Sequence, residues 1–326
     1  MISFPLPTSA IRLAFGCALA VASAAAGAQP FPVKPVRIVT QVPGGSLDLT
    51  ARMIAPKLSE RLGQPVIVDN RGGIISMELV ARAPADGYTL LVASGSLWTN
   101  QFLREDTPWD ALRDYAPVTP LVTSPNVLVV HPSLPVKSVK ELVALAKARK
   151  GQLNYSSGQS GSSSHIAGEL FKSMAGTDIV RVAYKGQGPA MIALVTGETQ
   201  LSFPNAASAT PFIKSGKIRA IAVTTAKPSA LIPGLPTVAA SGLPGYQSKA
   251  IVALFAPAKT PAPVLAQLNT EAVRTLEDPE VRQRLFESGA EAGGGTPAEL
   301  TAEIKSEIAA MGKLMKGLRG GTQNKN

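Results

Sequence analysis

The stretch VRIVTQVPGGSLDLTARMIAPKLSERLGQPVIVDN, residues 36–70, decides the fold class of this chain. It begins with an alternating apolar strand, turns at a Pro-Gly-Gly-Ser loop, continues as a helix and ends in a second apolar strand. The apolar side chains of the helix recur at helical spacing, at Leu47, Ala51, Ile54, Leu58 and Leu62. A short helix and the strand TLLVAS at 89–94 follow. This alternation predicts a parallel, doubly wound sheet with helices on both of its faces.

Loops rich in glycine and serine follow three of the predicted strands. The first is Pro43–Asp48, the second lies within NYSSGQSGSSSHIAGELF at 154–171, and the third is KGQGP at 185–189. Each loop precedes a helix, whose first turn presents unpaired N–H groups and the positive end of the helix dipole. Ligands of open α/β sheets bind at the carboxyl ends of strands. The three loops therefore predict a cleft for a small anionic ligand.

The first 28 residues have the pattern of a secretory signal peptide. Arg12 supplies a positive charge, LAFGCALAVASAAA is a short apolar core, and Ala26-Gly27-Ala28 is a small-residue cleavage pattern. The apolar run is too short to span a bilayer. A lipid anchor at Cys17 is disfavoured, because Ala14 stands where a lipobox has leucine. We therefore expect export to the periplasm.

The composition excludes several classes of site and partner. Cys17 is the sole cysteine and the chain has two histidines, so neither disulfides nor a transition-metal site is expected in the exported protein. No cofactor is expected either. The net charge is +10, but Lys and Arg are scattered along the predicted helices rather than clustered with aromatic residues. A solvated basic surface is therefore expected, and a nucleic-acid partner is not.

The exported chain, about 300 residues long, exceeds the usual size of a single core and predicts two domains. Apolar strands at 115–122 and 126–131 lead into the second domain, and a strand at 248–255 rejoins the first sheet. The resulting assignment is domain 1 at 30–125 plus 248–319, domain 2 at 126–247, and a disordered tail at 320–326.

Nine segments, in order along the exported chain, carry a family pattern. They are FPVKPVRIV at 31–39, PGGSLDLTAR at 43–52, LGQPVIVDNRGG at 62–73, DGYTLLVAS at 86–94, LNYSSGQSGSSSHIAGELFKSMAG at 153–176, VAYKGQGPA at 182–190, GKIRAIAVT at 216–224, LPTVAASGLPGY at 235–246 and LFAPAKTPAPVLAQLN at 254–269. In these segments the chain resembles the Bug-type receptors of tripartite tricarboxylate transporters, which are periplasmic solute-binding proteins.

The resemblance implies a fold, a function and partners. The implied fold is α/β, with two doubly wound domains and a ligand cleft between them, like a type II periplasmic binding protein. The implied function is capture of a small carboxylate by domain closure, for uptake or sensing, without enzymatic activity. The implied partners are the carboxylate and either the membrane permease subunits of a tripartite transporter or a sensor kinase. The protein is expected to be a monomer.

Candidate ligand-binding residues lie in the loops after the strands, where backbone N–H, hydroxyl and amide groups could hold a carboxylate. They are Pro43, Gly44, Gly45, Ser46, Asp48, Ser94, Ser96, Trp98, Ser160, Ser162, Ser163, Tyr184, Gly186 and Asn205. Asp48 is alternatively a simple helix cap, and Trp98 is alternatively a core residue. The first loop is one residue shorter than the common family form, and Pro204 replaces an aspartate that many members have. These departures touch the expected pocket wall, so the fold transfers from the family but the ligand does not.

A secreted serine hydrolase using Ser160 or Ser162 with His165 is the alternative function. The sequence GQSGS at 158–162 departs from the G-x-S-x-G nucleophile motif, because Ser162 stands where the second glycine should be. No acidic residue is placed by motif to orient His165. Both points count against the hydrolase.

Overall fold

The computed structural model describes residues 31–41, 43–102 and 106–323, with side chains up to 312. The predicted signal peptide lies outside the described residues. Residues 31–33 form a separate short segment with a cis peptide bond between Phe31 and Pro32. The remaining elements begin at Val36 and end at Gln323.

The first half of the chain contains five strands and four helices in the described residues. They are β1 Val36–Thr40, α1 Ser46–Leu62, β2 Val66–Asn70, α2 Gly73–Ala81, β3 Thr89–Ser94, α3 Ser96–Thr99, β4 Tyr115–Pro125, β5 Val127–Val130 and α4 Val139–Ala148.

The second half continues the alternation and then closes with three helices and two strands. The elements are β6 Asn154–Ser157, α5 Ser163–Ala175, β7 Val180–Ala183, α6 Gln187–Val195, β8 Leu201–Ser202, α7 Ala206–Lys214, β9 Arg219–Val223, β10 Lys249–Pro257, α8 Ala262–Glu277, α9 Pro279–Glu287, β11 Glu291–Ala292 and α10 Pro297–Gln323.

The first sheet has the strand order β11-β4-β10-β3-β1-β2. Strand β1 pairs in parallel with β2 and β3, as the opening stretch of sequence predicts. Strand β10 runs antiparallel to both β3 and β4, and β11 runs antiparallel to β4. The sheet is therefore mixed, because the chain returns to it after building the second sheet instead of adding another parallel crossover.

The second sheet has the order β7-β6-β8-β5-β9 and is also mixed. Strand β6 is parallel to β7 and β8, whereas β5 is antiparallel to β8 and β9. Alternate side chains of β5 enter different cores: Leu128 and Val130 pack with α4 and α5, whereas Val127 and Val129 pack with α6 and α7. All four are fully buried, so helices cover both faces of this sheet.

The chain passes between the two sheets at two adjacent places. It leaves the first sheet between β4 and β5 and returns between β9 and β10. Thr224 joins these crossings, since its hydroxyl lies 2.8 Å from the carbonyl oxygen of Asn126 and 2.7 Å from that of Ser248. Strand membership therefore changes near 125 and near 248. The division into domains 30–125 plus 248–319 and 126–247 stays a prediction.

The last helix, α10, ends at Gln323, whereas the sequence predicts a helix over 297–318 and a disordered tail from 320. Residues 324–326 of that predicted tail lie outside the described residues. Leu300, Ile304 and Met311 of α10 are buried, and α10 contacts both β4 of the first sheet and α5 of the second-sheet region. A helix at the end of the chain therefore reaches elements of both sheets.

One close approach positions α5 on the second sheet. A Cβ atom at Gly168 would lie 2.4 Å from a ring carbon of Tyr155, which belongs to β6 and is fully buried. Glycine lets the helix lie directly on the tyrosine ring, and this contact fixes how closely the helix packs on the sheet.

Within the described residues, no helix combines the length and apolar character needed to cross a membrane. In the same residues, no three His, Cys, Asp or Glu side chains are grouped to hold a metal ion.

Candidate functional site

A cavity of about 420 Å³ opens where helices from both sheet regions begin. Its polar and charged lining residues are Gln41, Ser46, Ser94, Thr99, Gln159, Ser162, Ser163, Lys185, Gln187, Asn205, Gln247, Ser248, Lys249 and Glu307. The apolar part of the wall contains Ile166, Leu170, Ile251, Val252 and Met311. Apolar walls with a few converging polar groups are typical of small-molecule sites.

Ser46 is the residue of the first loop that lines the cavity. It opens α1, whose N-cap residue Gly45 provides no side-chain cap, so no side chain satisfies the first N–H groups of that helix. Pro43 and Gly44 are exposed and outside the lining, and Gly45 is also outside it. Gly44 has φ +75°, a left-handed conformation that suits glycine and makes the tight turn.

Asp48 does not line the cavity, contrary to its place among the candidate ligand-binding residues. Its carboxylate is buried and accepts hydrogen bonds from the Gly44 N–H at 2.8 Å, Arg52 Nε at 2.9 Å and Asn70 Nδ2 at 2.8 Å. Burial raises the pKa of the Asp48 carboxyl, but these hydrogen bonds outweigh burial and hold that pKa below its ordinary value. The carboxylate therefore holds the loop in place, and both of its oxygens are engaged by protein donors.

The loop before α5 presents two serines to the cavity, Ser162 and Ser163. Ser162 is the N-cap of α5, and its Oγ accepts from the N–H of His165 at 3.4 Å. Ser163 Oγ accepts from Asn126 Nδ2 at 3.3 Å. Ser160 is exposed and outside the lining, where its Oγ accepts from Arg181. The sequence predicts that Ser160 faces the ligand, whereas the structure places it outside the cavity lining.

Arg181 of β7 holds this loop in place. Its guanidinium donates to Ser157 Oγ at 2.8 Å, Ser160 Oγ at 3.1 Å and the Gly158 carbonyl at 3.1 Å. The loop also bonds to the next one, because Gln159 Nε2 donates to the Lys185 carbonyl at 3.1 Å. Two adjacent helix starts are therefore joined into one preorganised surface.

His165 is a structural residue of this loop. Its Nδ1 accepts from the N–H of Gly161 at 3.1 Å, and burial lowers the pKa of its ring to about 4. Ser162 Oγ bonds to the backbone of His165 and not to its ring. A serine nucleophile requires a base in hydrogen-bond reach of its hydroxyl, so this pair lacks the arrangement that a hydrolase needs.

The third loop contributes Lys185, Gly186 and Gln187 to the cavity. Gly186 is the N-cap of α6 and provides no side-chain cap, and Gln187 Nε2 is a buried donor without a hydrogen-bond partner in the described structure. Tyr184 is outside the lining, since its hydroxyl bonds to Glu198 Oε1 at 2.8 Å. Tyr184 was expected to line the cleft, and its hydrogen bond with Glu198 explains its different place.

Asn205 lines the cavity as the N-cap of α7. Its Oδ1 accepts from the N–H of Ser208 at 2.9 Å, so the Nδ2 group does not take part in capping the helix. Among the residues described, no protein acceptor contacts its Nδ2. An amide in this state can donate to a carboxylate while it caps the helix.

Ser94 lines the cavity, whereas Ser96 and Trp98 do not. The oxygens of Ser94 and Ser96 lie 3.4 Å apart. Trp98 is fully buried against Phe255, with ring centroids 6.2 Å apart, so it is a core residue and cannot form an aromatic pocket wall. Its indole Nε1 donates to Glu307 Oε2 at 2.7 Å.

Glu307 is one of several lining residues absent from the sequence candidates, and it carries a negative charge in the cavity wall. The sequence predicts that Glu303 and Glu307 of the last helix are ordinary exposed charges, but Glu307 stands in line with the buried Leu300, Ile304 and Met311. The spacing of these four positions is four, three and four residues, which places them on one helix face. A charged residue in an apolar stripe is the signal that could have identified it.

Burial raises the pKa of the Glu307 carboxyl to about 7. The hydrogen bond from Trp98 and the charge of Lys249 act in the opposite direction, while the charge of Glu303 adds to the increase. Lys249 is itself paired with Glu303. The cavity thus combines two lysines, Lys185 and Lys249, with one carboxylate that titrates near neutral pH.

Comparisons with known proteins agree with this architecture. A family model described as "Tripartite tricarboxylate transporter family receptor" matches residues 50–319. Protein BugT of Bordetella pertussis is 34% identical over 301 residues, which are 90% of this chain and 92% of BugT.

Two solved structures are similar over nearly their whole length. R. palustris Rpa4515 with adipate has 37% identity and a TM-score of 0.78, and the match covers 88% of this chain and 97% of that one. MatC from Rhodopseudomonas palustris with bound malate has 30% identity and a TM-score of 0.75, with 87% and 100% covered. The predicted family and the periplasmic binding protein fold are confirmed. The chain belongs to the tripartite tricarboxylate transporter receptor family, whose members are periplasmic solute-binding proteins and not enzymes.

Proposed function

We propose that this protein captures a small organic carboxylate in the cavity and presents it for uptake or sensing. One observation carries the proposal: within the described residues, the first turns or N-caps of four helices, α1, α5, α6 and α7, line the same cavity. Each helix start favours negative charge through its dipole and its unpaired N–H groups. The adipate and malate of the related structures support a carboxylate as the charged group.

Capture by domain closure is part of this proposal. Ser46 and Ser94 belong to the segments of the first sheet, whereas Ser162, Gly186 and Asn205 belong to those of the second. A ligand that contacts both groups stabilises a closed arrangement over an open one. We expect the lobes to be 30–125 plus 248–319 and 126–247. A decrease in radius of gyration on ligand addition, measured by X-ray scattering, tests closure, and an unchanged radius contradicts it.

Export to the periplasm and transfer to a membrane partner complete the proposal. The family is that of a periplasmic transporter receptor, and the first 28 residues have the pattern of a signal peptide. The amino terminus of the protein recovered from a periplasmic fraction should therefore lie near Gln29. An intact amino terminus on protein in the cytoplasm is the contrary result.

The main experiment changes a helix cap inside the cavity and a matched cap outside it. Ser162 caps α5 within the cavity, and Ser138 caps α4 away from it, accepting from the N–H of Glu141 at 3.2 Å. Aspartate is a good N-cap, so Ser162→Asp and Ser138→Asp should both fold. Ser162→Asp places a negative charge where the ligand's charge is expected.

Thermal shift and calorimetry with adipate, malate and a wider carboxylate panel provide the readout. A carboxylate at a hundred times its dissociation constant should stabilise the unsubstituted protein by about 2.7 kcal/mol. Ser162→Asp should weaken that binding at least about tenfold through charge repulsion, while Ser138→Asp leaves it unchanged. Equal binding by the two variants would argue against this cavity, and no binding of any carboxylate by the unsubstituted protein against the function.

A further inference from the structure

We propose that Glu307 makes the cavity select a monocarboxylate that also carries a hydrogen-bond donor, an ammonium or hydroxyl group, over a dicarboxylate of the same length. The inference rests on the proposed function and specifies its substrate class. It concerns a wall of the cavity formed by α10 and β10, apart from the loops at the helix starts.

The carboxylate of Glu307 is held in one orientation. Its Oε2 accepts from Trp98 Nε1 at 2.7 Å, and Trp98 is fixed in turn by complete burial against Phe255. In the part of the chain that the structure describes, no donor contacts Oε1. A carboxylate accepts several hydrogen bonds, so this oxygen is available to a ligand group in the cavity.

The surrounding charges do not neutralise Glu307. The charged groups that act on it are Lys249 of β10 and Glu303, one turn earlier on α10. The ammonium of Lys249 is paired with Glu303, so the three groups together carry one negative charge when Glu307 is ionised. Trp98, on the side of α3, contributes a neutral donor. The other lining lysine, Lys185, belongs to the loop before α6 and is not among the charges that act on Glu307. A second ligand carboxylate at the α10 wall would therefore meet an uncompensated negative charge.

A buried hydroxyl on the same cavity is available to bond to such a ligand group. Thr99 Oγ1 is buried and has no hydrogen-bond partner in the described structure, although Thr99 lines the cavity. Buried polar atoms without partners are costly, so a ligand group that bonds to them is favoured. An ammonium group can donate to the Glu307 carboxylate and to the threonine oxygen together, and a hydroxyl can donate to Glu307 while it accepts from the threonine hydroxyl, whereas a ligand carboxylate cannot donate to Glu307.

The length of the cavity sets the size of the probes. Its wall follows α5 from Ser163 to Leu170, a distance of roughly 10 Å at the rise of an α-helix. A ligand with four to six carbons spans such a wall. Two probe series follow: hexanoate, 6-hydroxyhexanoate, 6-aminohexanoate and adipate, and their four-carbon counterparts butanoate, 4-hydroxybutanoate, 4-aminobutanoate and succinate.

The test is calorimetry with both series at about pH 8.5, where a carboxyl with a pKa of about 7 is ionised. We expect a hydroxyl- or amino-bearing probe to bind at least about tenfold more tightly than the dicarboxylate of equal length. Glu307→Gln should remove that preference and strengthen dicarboxylate binding. The amide oxygen can still accept from Trp98, so the fold should be kept.

Glu169→Gln is the matched control. Glu169 is a buried glutamate that also accepts from an aromatic side chain, Tyr155 Oη, at 2.7 Å; it is paired with Lys172 at 3.0 Å and does not line the cavity. It should leave the preference between probes unchanged. A second readout uses the unsubstituted protein alone: lowering the pH to about 6 protonates Glu307 and should weaken the amino-bearing probes relative to the dicarboxylates.

Three results overturn the inference. The first is tighter binding of the dicarboxylate in both series at about pH 8.5. The second is a preference for donor-bearing probes that survives Glu307→Gln. The third is an identical ranking of probes at both pH values. In these cases carboxylate binding itself stands, so the proposed function is untouched, whereas a protein that binds no carboxylate at all overturns both.

Discussion

The loop before α5 and the wall formed by α10 face the same cavity but are built in opposite ways. The loop, residues 158–163, uses backbone groups and hydroxyls that neighbours in sequence and on β7 hold in place. The α10 wall places one carboxylate, Glu307, about 140 residues later in the chain, against a tryptophan from the first sheet region. If the protein binds its ligand as proposed, general attraction for an anion is encoded locally, while discrimination between anions depends on tertiary contacts.

Gly168→Ala should have the largest effect, because it disturbs the packing of α5, the helix that follows the loop, against the sheet. The added Cβ would lie 2.4 Å from the Tyr155 ring, so the helix must move away from the sheet. We expect a loss of about 3 kcal/mol in the free energy of unfolding and weaker carboxylate binding. Chemical denaturation and calorimetry measure the two effects.

Gly188→Ala is the control for that substitution. Gly188 lies in α6, and a Cβ there would have no heavy atom within 4 Å. Alanine at this helical position should be neutral or stabilising by up to about 1 kcal/mol. Equal stability of the two alanine variants would show that the close contact of α5 with β6 does not matter.

Replacing His165 should have the next largest effect. His165→Leu removes the acceptor of the buried Gly161 N–H and should cost about 1–3 kcal/mol, whereas His165→Asn can keep that acceptor and should cost less. Denaturation of both variants at neutral pH measures the difference. A leucine variant as stable as the asparagine variant would exclude His165 as the support of the loop.

The same histidine predicts an acid dependence of stability. Its pKa is lowered to about 4 in the folded state from 6.5, so the unfolded chain takes up the proton first as pH falls. The stabilisation is complete above about pH 6.5 and is lost progressively toward about pH 4, amounting to about 3 kcal/mol. His165→Asn should flatten the stability curve in this window, and an unchanged curve would assign the loss to other groups.

Asp48→Asn tests the distinction between a residue that supports the loop and one that contacts the ligand. The amide loses one of the acceptors that bind Gly44, Arg52 and Asn70, which should cost about 2 kcal/mol of stability. Carboxylate affinity should change far less than in Ser162→Asp, because the Asp48 carboxylate is outside the cavity. Asp69→Asn, which removes only partly exposed ion pairs, should cost less than about 1 kcal/mol. A tenfold loss of affinity in Asp48→Asn would instead make Asp48 a ligand contact.

Local patterns predict the elements around the site well. The sequence predicts helix starts at Leu47 or Asp48 and near Ser163, and the structure begins α1 at Ser46 and α5 at Ser163. The agreement is close because Gly, Ser and Pro constrain the backbone where a strand turns into a helix. The return of the chain to the first sheet through β10 is also predicted. The antiparallel direction of β10 is not predicted, because it depends on where the chain leaves the second sheet.

The differences between prediction and structure at four site residues have one physical cause. Asp48, Ser160 and Tyr184 lie in the expected loops, but partners on other elements, Asn70, Arg181 and Glu198, engage their polar groups. Glu307 lies in a helix far from any such loop and joins the site only through packing against Trp98. Sequence pattern identifies which segments reach the cavity, whereas the direction of each side chain is decided by long-range contacts.

Thr224 gives the two crossings between the sheets a mechanical property. One hydroxyl contacts the carbonyl of Asn126 on the outgoing crossing and that of Ser248 on the returning one. Because these hydrogen bonds join the two crossings at one point, a rotation of one lobe relative to the other would turn about that point. Sliding of one crossing past the other would be resisted. If the lobes close as proposed, the angle between them differs between the empty and the occupied protein. A membrane partner could then detect the loaded state from the outer surface alone, without contacting the ligand.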